Sequence, residues 1–453
     1  MYSYIINFTG EIGVKGTTTR WNYIKKLANN IESRVGENII SIEYKFDKIF
    51  LYAEKNVDNI LSTTFGISKF SSFEKKTFTN FDDLINKSYD FFESKIKGID
   101  FRVKCKRKGS HNFSSVDIEK KLGENLSGLG NVNLKNPGYI ANLEIQGNDL
   151  YLFDNFQLGP GGYPVGGAGK VVVLMSGGVD SVVAAWKAYK MGLDVDFLYF
   201  SLGENDVYDS VVELVNFMKY NWGVPNRGNL FVGDFSFLLE EIVKIKKSYR
   251  NLVLKYFFYT ITNRFCSYKK IKGFVTGEAI SQVSTQVLEN LSALDTFTNN
   301  LVLRPVICMP KSEIITLAKQ IGVFDLIYQG KEHCSVSGKG AETKGTVFKI
   351  QNQIDLLGEG VSQKIFESIS KVNPKNNFMH TQKFDYKDRY IIYVQKDRNE
   401  SMESAINVPF EKYKTILGYL DDSKKYVVTC RYGKLSNVVC DFLWNNGFDV
   451  VVG

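Results

Sequence analysis

Histidine is nearly absent from this chain of 453 residues, occurring three times. The six cysteines, Cys105, Cys266, Cys308, Cys334, Cys430 and Cys440, form no Cys-x-x-Cys pair. Such sparse, scattered ligands argue against a structural zinc or an all-cysteine iron–sulfur site, and no metal-ligand set is assigned from the sequence. Cysteines of this kind are either buried small hydrophobes or redox actors, and the context of each must decide. Long apolar runs are missing as well. None approaches the ~18 residues of a membrane-spanning helix. The opening MYSYIINFTGEIG lacks a basic leader and soon meets Glu11. The expectation is a cytoplasmic chain with no membrane partner. Proline is scarce, at 8, and with 44% apolar residues the 38 glycines do not make a disordered chain.

What is present is one stretch that organises the rest, KVVVLMSGGVDSVVAAWKAYKMG, from Lys170 to Gly192. Val171 to Met175 are apolar and mostly β-branched, the pattern of a short buried strand. Val182, Val183, Ala185, Trp186 and Tyr189 are spaced for one face of a helix. Between them stands Ser176-Gly177-Gly178-Val179-Asp180-Ser181. Its glycines allow a sharp turn that brings amides to a ligand at a helix start, and Ser176 and Ser181 add hydroxyl donors. The loop therefore reads as a phosphate cradle, with Leu174 and Met175 at the strand end belonging to the same candidate site. It is not a Walker A loop, because Pro164 and Val171 flank Gly169-Lys170 where that motif requires Gly and Ser or Thr. SGGVDS instead resembles the pyrophosphate loop (PP-loop) of the ATP-pyrophosphatase family, whose members cleave ATP to AMP and pyrophosphate while adenylating a substrate. The plain alternative is an ordinary strand–turn–helix with small residues at the turn.

The length allows roughly three domains. A net charge of +8 permits an RNA partner without demanding one. Residues 2–8 alternate as a strand, Thr17-Thr18-Thr19 offer helix caps, and Trp21, Ile24, Leu27, Ile31 and Val35 give one apolar helix face. Strands near 38–46 and 48–54, a short helix near 57–64 and a strand near 68–74 complete a ferredoxin-like βαββαβ unit. A helix from about 80 leads to FRVKCKRKG, where Arg102, Lys104, Lys106 and Lys108 share one strand face and Val103, Cys105 and Arg107 the other. That row is either a strand edge guarded by lysine or a track for an RNA backbone. Lys135, in the LKNPG turn, joins the candidate RNA set. Residues 159–170, GPGGYPVGGAGK, read as a linker.

Beyond it, strands at 194–200, near 229–233 and at 273–276 alternate with helices from about 206 and over about 236–268. This is the pattern of a doubly wound parallel sheet, in which ligands lie beyond the strand C-termini. Ser176–Ser181 and Gly277–Gln282 both fall there, so Gly277 and Gln282 join the candidate nucleotide site. Arg304 and Lys311 flank Pro310, with Ser312 as a candidate cap for the next helix. Lys311 is either a helix-start surface residue or a cation that reaches ATP phosphates.

At this point the chain resembles the tRNA sulfurtransferase family, the enzymes that make 4-thiouridine in tRNA. GEIGVKG (10–16), FRVKCKRKG with LKNPG, GGYPVGGAGKVVVLMSGGVDS (161–181), VTGEAISQVSTQVLENL (275–291) and LRPVICMPKSEI (303–314) fall in that family's order. The resemblance implies an α/β multidomain chain. Residues 1–75 would be a ferredoxin-like domain, 76–165 a THUMP domain that binds tRNA, 166–375 a PP-loop adenylating domain and 385–453 a small rhodanese-like α/β domain. Val182 stands where the family usually has Pro. In the last segment, Cys430-Arg431-Tyr432-Gly433-Lys434-Leu435-Ser436 between a strand and a helix is similar to the rhodanese loop whose cysteine carries a persulfide. Amides at a helix start favour a thiolate there, which fits Cys430, whereas Cys440 reads as a buried residue. The usual Asp-Val-Arg after the first strand of that domain is Tyr393-Val394-Gln395, and an Arg near the loop end is Leu435, so activity on thiosulfate is not implied.

Several expectations follow from the resemblance. The substrates are ATP with Mg²⁺ and uridine at tRNA position 8; Asp180 positions the metal or nucleotide and Lys311 offsets phosphate charge. Sulfur comes from a cysteine desulfurase as a persulfide on Cys430. Cys334, in EHCSVSGKGAETKG, resolves the carrier by a disulfide that an external reductant reopens. A homodimer is compatible with this, and a second role in thiamine thiazole synthesis is left open. Two other classes remain: a different PP-loop enzyme, such as a tRNA 2-thiolase or an amidotransferase, and a non-catalytic tRNA-binding protein.

Overall fold

Why the first 158 residues share a single sheet is visible in one strand. The computed structural model describes residues 1–45, 47–202, 205–327, 341–372, 390–395, 405–421, 424–429, 436, 439–440, 442–443 and 446–452. The chain opens with β1 (Tyr2–Phe8), α1 (Gly10–Gly13), α2 (Thr17–Val35), β2 (Ile39–Tyr44), β3 (Ile49–Ala53), α3 (Asp58–Leu61) and β4 (Ile67–Thr77). The order β2-β3-β1-β4, with every pair antiparallel, is the ferredoxin-like arrangement. Ile24, Leu27, Ile31 and Val35 of α2 are buried against Tyr4, Ile6, Leu51 and Phe70. Trp21, expected on that face, is instead 38% exposed and meets Tyr44 edge-on.

After β4 come α4 (Phe81–Ile96), β5 (Phe101–Lys108), α5 (Ser115–Leu126), β6 (Tyr139–Gln146), β7 (Asp149–Phe153) and the two-residue β8 (Gln157–Leu158). Ser114 and Asp117 form a capping box at α5, which fixes where that helix begins. The N-terminal half of β4 pairs with β1, and its C-terminal half, Phe73 to Thr77, pairs with β7. One long strand therefore fuses both segments into an eight-stranded sheet that ends at β5, which pairs in parallel with β6. Lys48 and Glu144 cross the same join as a buried ion pair at 3.0 Å.

The second sheet is built from β9 (Lys170–Met175), α6 (Val179–Lys190), β10 (Asp194–Ser201), α7 (Asn205–Phe217), β11 (Leu230–Asp234), α8 (Ser236–Ile242), α9 (Arg250–Tyr268) and β12 (Gly273–Val275). It continues with α10 (Leu288–Asp295), β13 (Leu301–Leu303), α11 (Lys311–Gln320), α12 (Val347–Ile354), α13 (Val361–Ser368) and β14 (Ser370–Val372). The order β13-β12-β9-β10-β11-β14 is parallel except for β14. Strands β9 and β10 are buried along most of their length, as expected of a parallel sheet with both faces covered. The helical stretch expected over 236–268 is broken by a 3₁₀ turn at Lys247–Tyr249. Helix α11 starts at Lys311 with Pro310 as its N-cap, so Ser312 lies inside the helix rather than capping it.

A smaller unit holds β15 (Tyr390–Gln395), β16 (Ile406–Pro409), β17 (Lys425–Thr429) and β18 (Asp449–Val452). They form a wholly parallel sheet in the order β16-β15-β17-β18. Val428, Val439, Cys440 and Leu443 are buried in its core. Pro409 ends β16.

Candidate nucleotide site and RNA-facing surface

Strand β9 lies at the middle of the parallel sheet, between β12 and β10. Past buried Met175 and half-buried Leu174, the chain turns through Ser176-Gly177-Gly178 into α6. Gly177 has φ +79°, a left-handed turn that favours glycine. Gly178 is the N-cap residue and supplies no side chain, so the first-turn amides of α6 lack a capping oxygen. The Ser181 hydroxyl is buried and donates to Gly178 O at 2.9 Å. It also accepts from Ser176 N and Ser176 Oγ, each at 3.3 Å. Ser181 thus braces the loop from within, while Ser176 is exposed and Val179 half-buried at the helix start.

The loop beyond β12 meets this turn closely. A Cβ on Gly277 would lie 2.5 Å from Ser181 N, so only glycine fits there. Gln282, five residues on, has a buried Nε2 with no hydrogen-bond partner among the described residues. That is a free donor of the kind a ligand oxygen would satisfy. Lys311 Nζ reaches Asp180 at 2.8 Å (Oδ1) and 2.7 Å (Oδ2). Both side chains are partly exposed, so the pair contributes under about 1 kcal/mol and exchanges readily for another charged partner. Arg304 is engaged elsewhere, with Nε on Glu278 at 3.0 Å and its NH groups on Asp295 and Tyr259. The sequence separated these residues by up to 135 positions, from Ser176 to Lys311; strand order brings them to one edge of the sheet.

Cys334 and Cys430 lie outside the described residues. Of the others, Cys105 and Cys266 are buried, and burial pushes both thiols up to about 12. Cys308, which sequence reasoning passed over, is exposed in the segment leading to Lys311.

On β5, Lys104, Lys106 and Lys108 are exposed and Val103 and Cys105 buried, following the strand alternation. Arg102 is half-buried and donates to Leu134 O at 3.3 Å. Lys135 is exposed on a turn held by Asn133 Oδ1, which accepts from Lys135 N and Asn136 N. Lys69 of β4 is an addition that sequence reasoning missed. Burial, and then the charges of Lys104 and Lys106, lower its ammonium from the usual range. The only earlier signal was its place on a polar position of an alternating strand.

Residues 4–71 match the ThiI ferredoxin-like domain, 78–154 the THUMP domain, and 166–357 the family described as Thiamine biosynthesis protein (ThiI). A tRNA sulfurtransferase of Thermoplasma volcanium is 30% identical over 99% of this chain and 95% of its own length. The chain belongs to the tRNA sulfurtransferase (ThiI) family. A probable tRNA sulfurtransferase of Saccharolobus islandicus is 36% identical over 74% of this chain and 90% of its own. Among solved structures, a 4-thiouridine synthetase–RNA complex with bound ATP shares the fold, with a TM-score of 0.75 and 24% identity, over 82% of this chain and 99% of that one. The ferredoxin-like, THUMP and PP-loop arrangement expected of the family is present, and no helix among the described residues is long and apolar enough to cross a membrane.

Proposed function

We propose that the chain is an ATP-dependent tRNA sulfurtransferase that converts a tRNA uridine, at position 8, to 4-thiouridine. The observation that carries this reading is the SGGVDS loop at the C-terminal edge of the central strand, with Asp180 and Lys311 paired beside it. The names of the relatives support it, as does the likeness in fold to a 4-thiouridine synthetase solved with RNA and ATP. In this reading residues 1–75 and 76–165 grip tRNA, 166–375 adenylate it and 385–453 carry sulfur.

Backbone amides at the start of α6 bind the ATP phosphates, and the Gln282 amide offers one further donor. Asp180 is the carboxylate available to Mg²⁺, which accepts one or two carboxylates together with substrate phosphates and would offset their charge. Lys311 then exchanges Asp180 for a phosphate. The uracil O4 attacks the α-phosphorus; the bond to pyrophosphate breaks, and its charge is stabilised by the loop amides. The terminal sulfur of a Cys430 persulfide attacks C4 and AMP leaves. Cys334 thiolate next attacks Cys430 Sγ, which frees 4-thiouridine and leaves a Cys334–Cys430 disulfide for an external two-electron thiol reductant. In the other order, Cys334 acts first and released sulfide attacks C4. A cysteine desulfurase is the sulfur source in this scheme.

The test is a turnover assay on unmodified tRNA with ATP and a persulfide donor, followed by nuclease digestion and mass spectrometry. Expected results are 4-thiouridine, AMP in equal amount and, without reductant, a Cys334–Cys430 crosslink in peptide mapping. Cys430→Ser should block sulfur loading, and Cys334→Ser should load but stop after about one turnover. Many turnovers by Cys334→Ser at the wild-type rate would make Cys334 a bystander. A 2-thiouridine product would move the chain to another class.

A further inference from the structure

The segment after β12 holds a buried carboxylate to which the sulfurtransferase mechanism assigns no task. Glu278 is 6% exposed. Its Oε1 accepts from Lys255 Nζ at 2.7 Å. Its Oε2 accepts from Thr276 Oγ1 and Arg304 Nε, each at 3.0 Å, and from the Tyr259 hydroxyl. Arg304 also donates through NH1 to Asp295 Oδ2 at 3.1 Å, and through NH2 to Asp295 Oδ1 and to the Tyr259 hydroxyl at 2.8 Å. Two carboxylates and two cations, drawn from α9, α10 and the ends of β12 and β13, thus close one network. Buried charges persist only when every member is paired, as here. Burial alone would raise the Glu278 carboxyl; Lys255, Tyr259 and Arg304 more than offset that and hold it at about 2.

The residue before Glu278 touches the nucleotide loop. A Cβ on Gly277 would be 2.6 Å from Asp180 C as well as 2.5 Å from Ser181 N, so the Gly277 backbone lies hard against the first turn of α6. Fixing one end of the Gly277–Glu278 peptide fixes the other, because the peptide unit is rigid and planar.

We propose that Glu278 is a positioning residue for the nucleotide site: anchored by Lys255 and Arg304, it holds Gly277 against Asp180–Ser181 and so sets the first-turn amides that meet ATP phosphates. The inference rests on the nucleotide reading of that loop. It gives Arg304 the role of an anchor, since all three of its guanidinium nitrogens are used inside the network.

Glu278→Gln in the full chain removes the negative charge and leaves two cations facing a neutral amide. ATP binding should weaken at least fivefold, with a matching rise in ATP KM for tRNA-dependent AMP formation. tRNA affinity should stay within twofold. Gly277→Ala disturbs the same contact by bulk and should give the same signature. A folded Glu278→Gln chain with wild-type ATP affinity and KM overturns the proposal. If Glu278→Gln does not fold, Lys255→Met carries the test: at least threefold weaker ATP binding is expected, and unchanged binding overturns it. If the wild-type chain binds ATP yet forms no AMP with tRNA, the sulfurtransferase reading fails, and the ATP-binding comparison still decides the role of Glu278.

Discussion

Replacing Lys104, Lys106 and Lys108 together with Ala tests whether β5 follows an RNA backbone. All three side chains are exposed, and none makes an ion pair among the described residues. Their removal should therefore leave stability within about 0.5 kcal/mol of wild type. Each lysine that meets a phosphate adds ~0.9 to the slope of log affinity against log salt, so three contacts amount to a slope of ~2.7. Between 50 and 200 mM salt, a fourfold change, the wild type should lose about 40-fold more tRNA affinity than the variant. Filter binding of an unmodified tRNA at four salt concentrations reads this directly. Lys69 is retained in the variant and is relieved of the like charges of Lys104 and Lys106, so some salt dependence should persist. An unchanged slope would return the row to the role of a lysine-guarded sheet edge.

Asp180→Ala should abolish tRNA-dependent AMP formation while tRNA affinity changes less than about threefold, or ~0.7 kcal/mol; retained AMP formation would remove Asp180 from the mechanism. Glu278 is held at about 2 in the folded chain against an ordinary 4.5. The stability it contributes is therefore full above pH 4.5 and is lost as pH falls toward 2, an effect on the order of 3 kcal/mol. Acid unfolding of Glu278→Gln should lack that component, and identical acid profiles for the two chains would count against a paired, ionised Glu278.

The elements legible in the sequence are those whose signal is local. Strand β9, the SGGVDS turn and α6 sit within 21 residues of chain, from Lys170 to Lys190, and each piece constrains the next. The alternation of β5 is likewise contained in eight residues. What escaped is non-local. A strand near 68–74 was readable, but its extension to Thr77 depends on pairing with β7, as in Phe73 opposite Phe153. No short window reports such a partner. The Glu278 network draws on positions 255, 259, 276, 295 and 304, and an isolated Thr-Gly-Glu cannot announce it. Arg304 illustrates the point: beside a candidate phosphate site an arginine reads as a ligand, and no short window tells that four of its five N–H groups donate to Glu278, Asp295 and Tyr259. Trp21 failed differently. Its helical spacing was right, but spacing does not say how far the sheet beneath the helix extends.

The glycine-rich stretch before β9 shows that composition and mobility are separate matters. Twelve residues with so much glycine suggest a flexible tether, and a tether would let the N-terminal eight-stranded sheet move freely relative to the SGGVDS loop. The hydrogen bonds say otherwise. Thr9 Oγ1 donates to Gly162 O, Gly66 N to Gly161 O, and Asn30 Nδ2 to Val165 O, tying the stretch to the ferredoxin-like segment. Tyr163 N donates to Lys190 O and Ala168 N to Gly192 O, tying it to the end of α6 and the turn after it. Beside this seam Arg34 is half-buried and donates to Thr63 O, Thr63 Oγ1, Thr64 Oγ1 and Asn221 O. Phe65 packs against both Trp186 and Trp222, with ring centroids 5.4 and 5.5 Å away. Glycine serves here because two surfaces approach too closely for side chains, and the backbone groups it exposes are the ones both surfaces bind. The same α6 that starts at the SGGVDS loop ends in this seam. One 12-residue helix is therefore the rigid element through which the sheet that carries the β5 lysines is referenced to the amides at Gly178–Ser181.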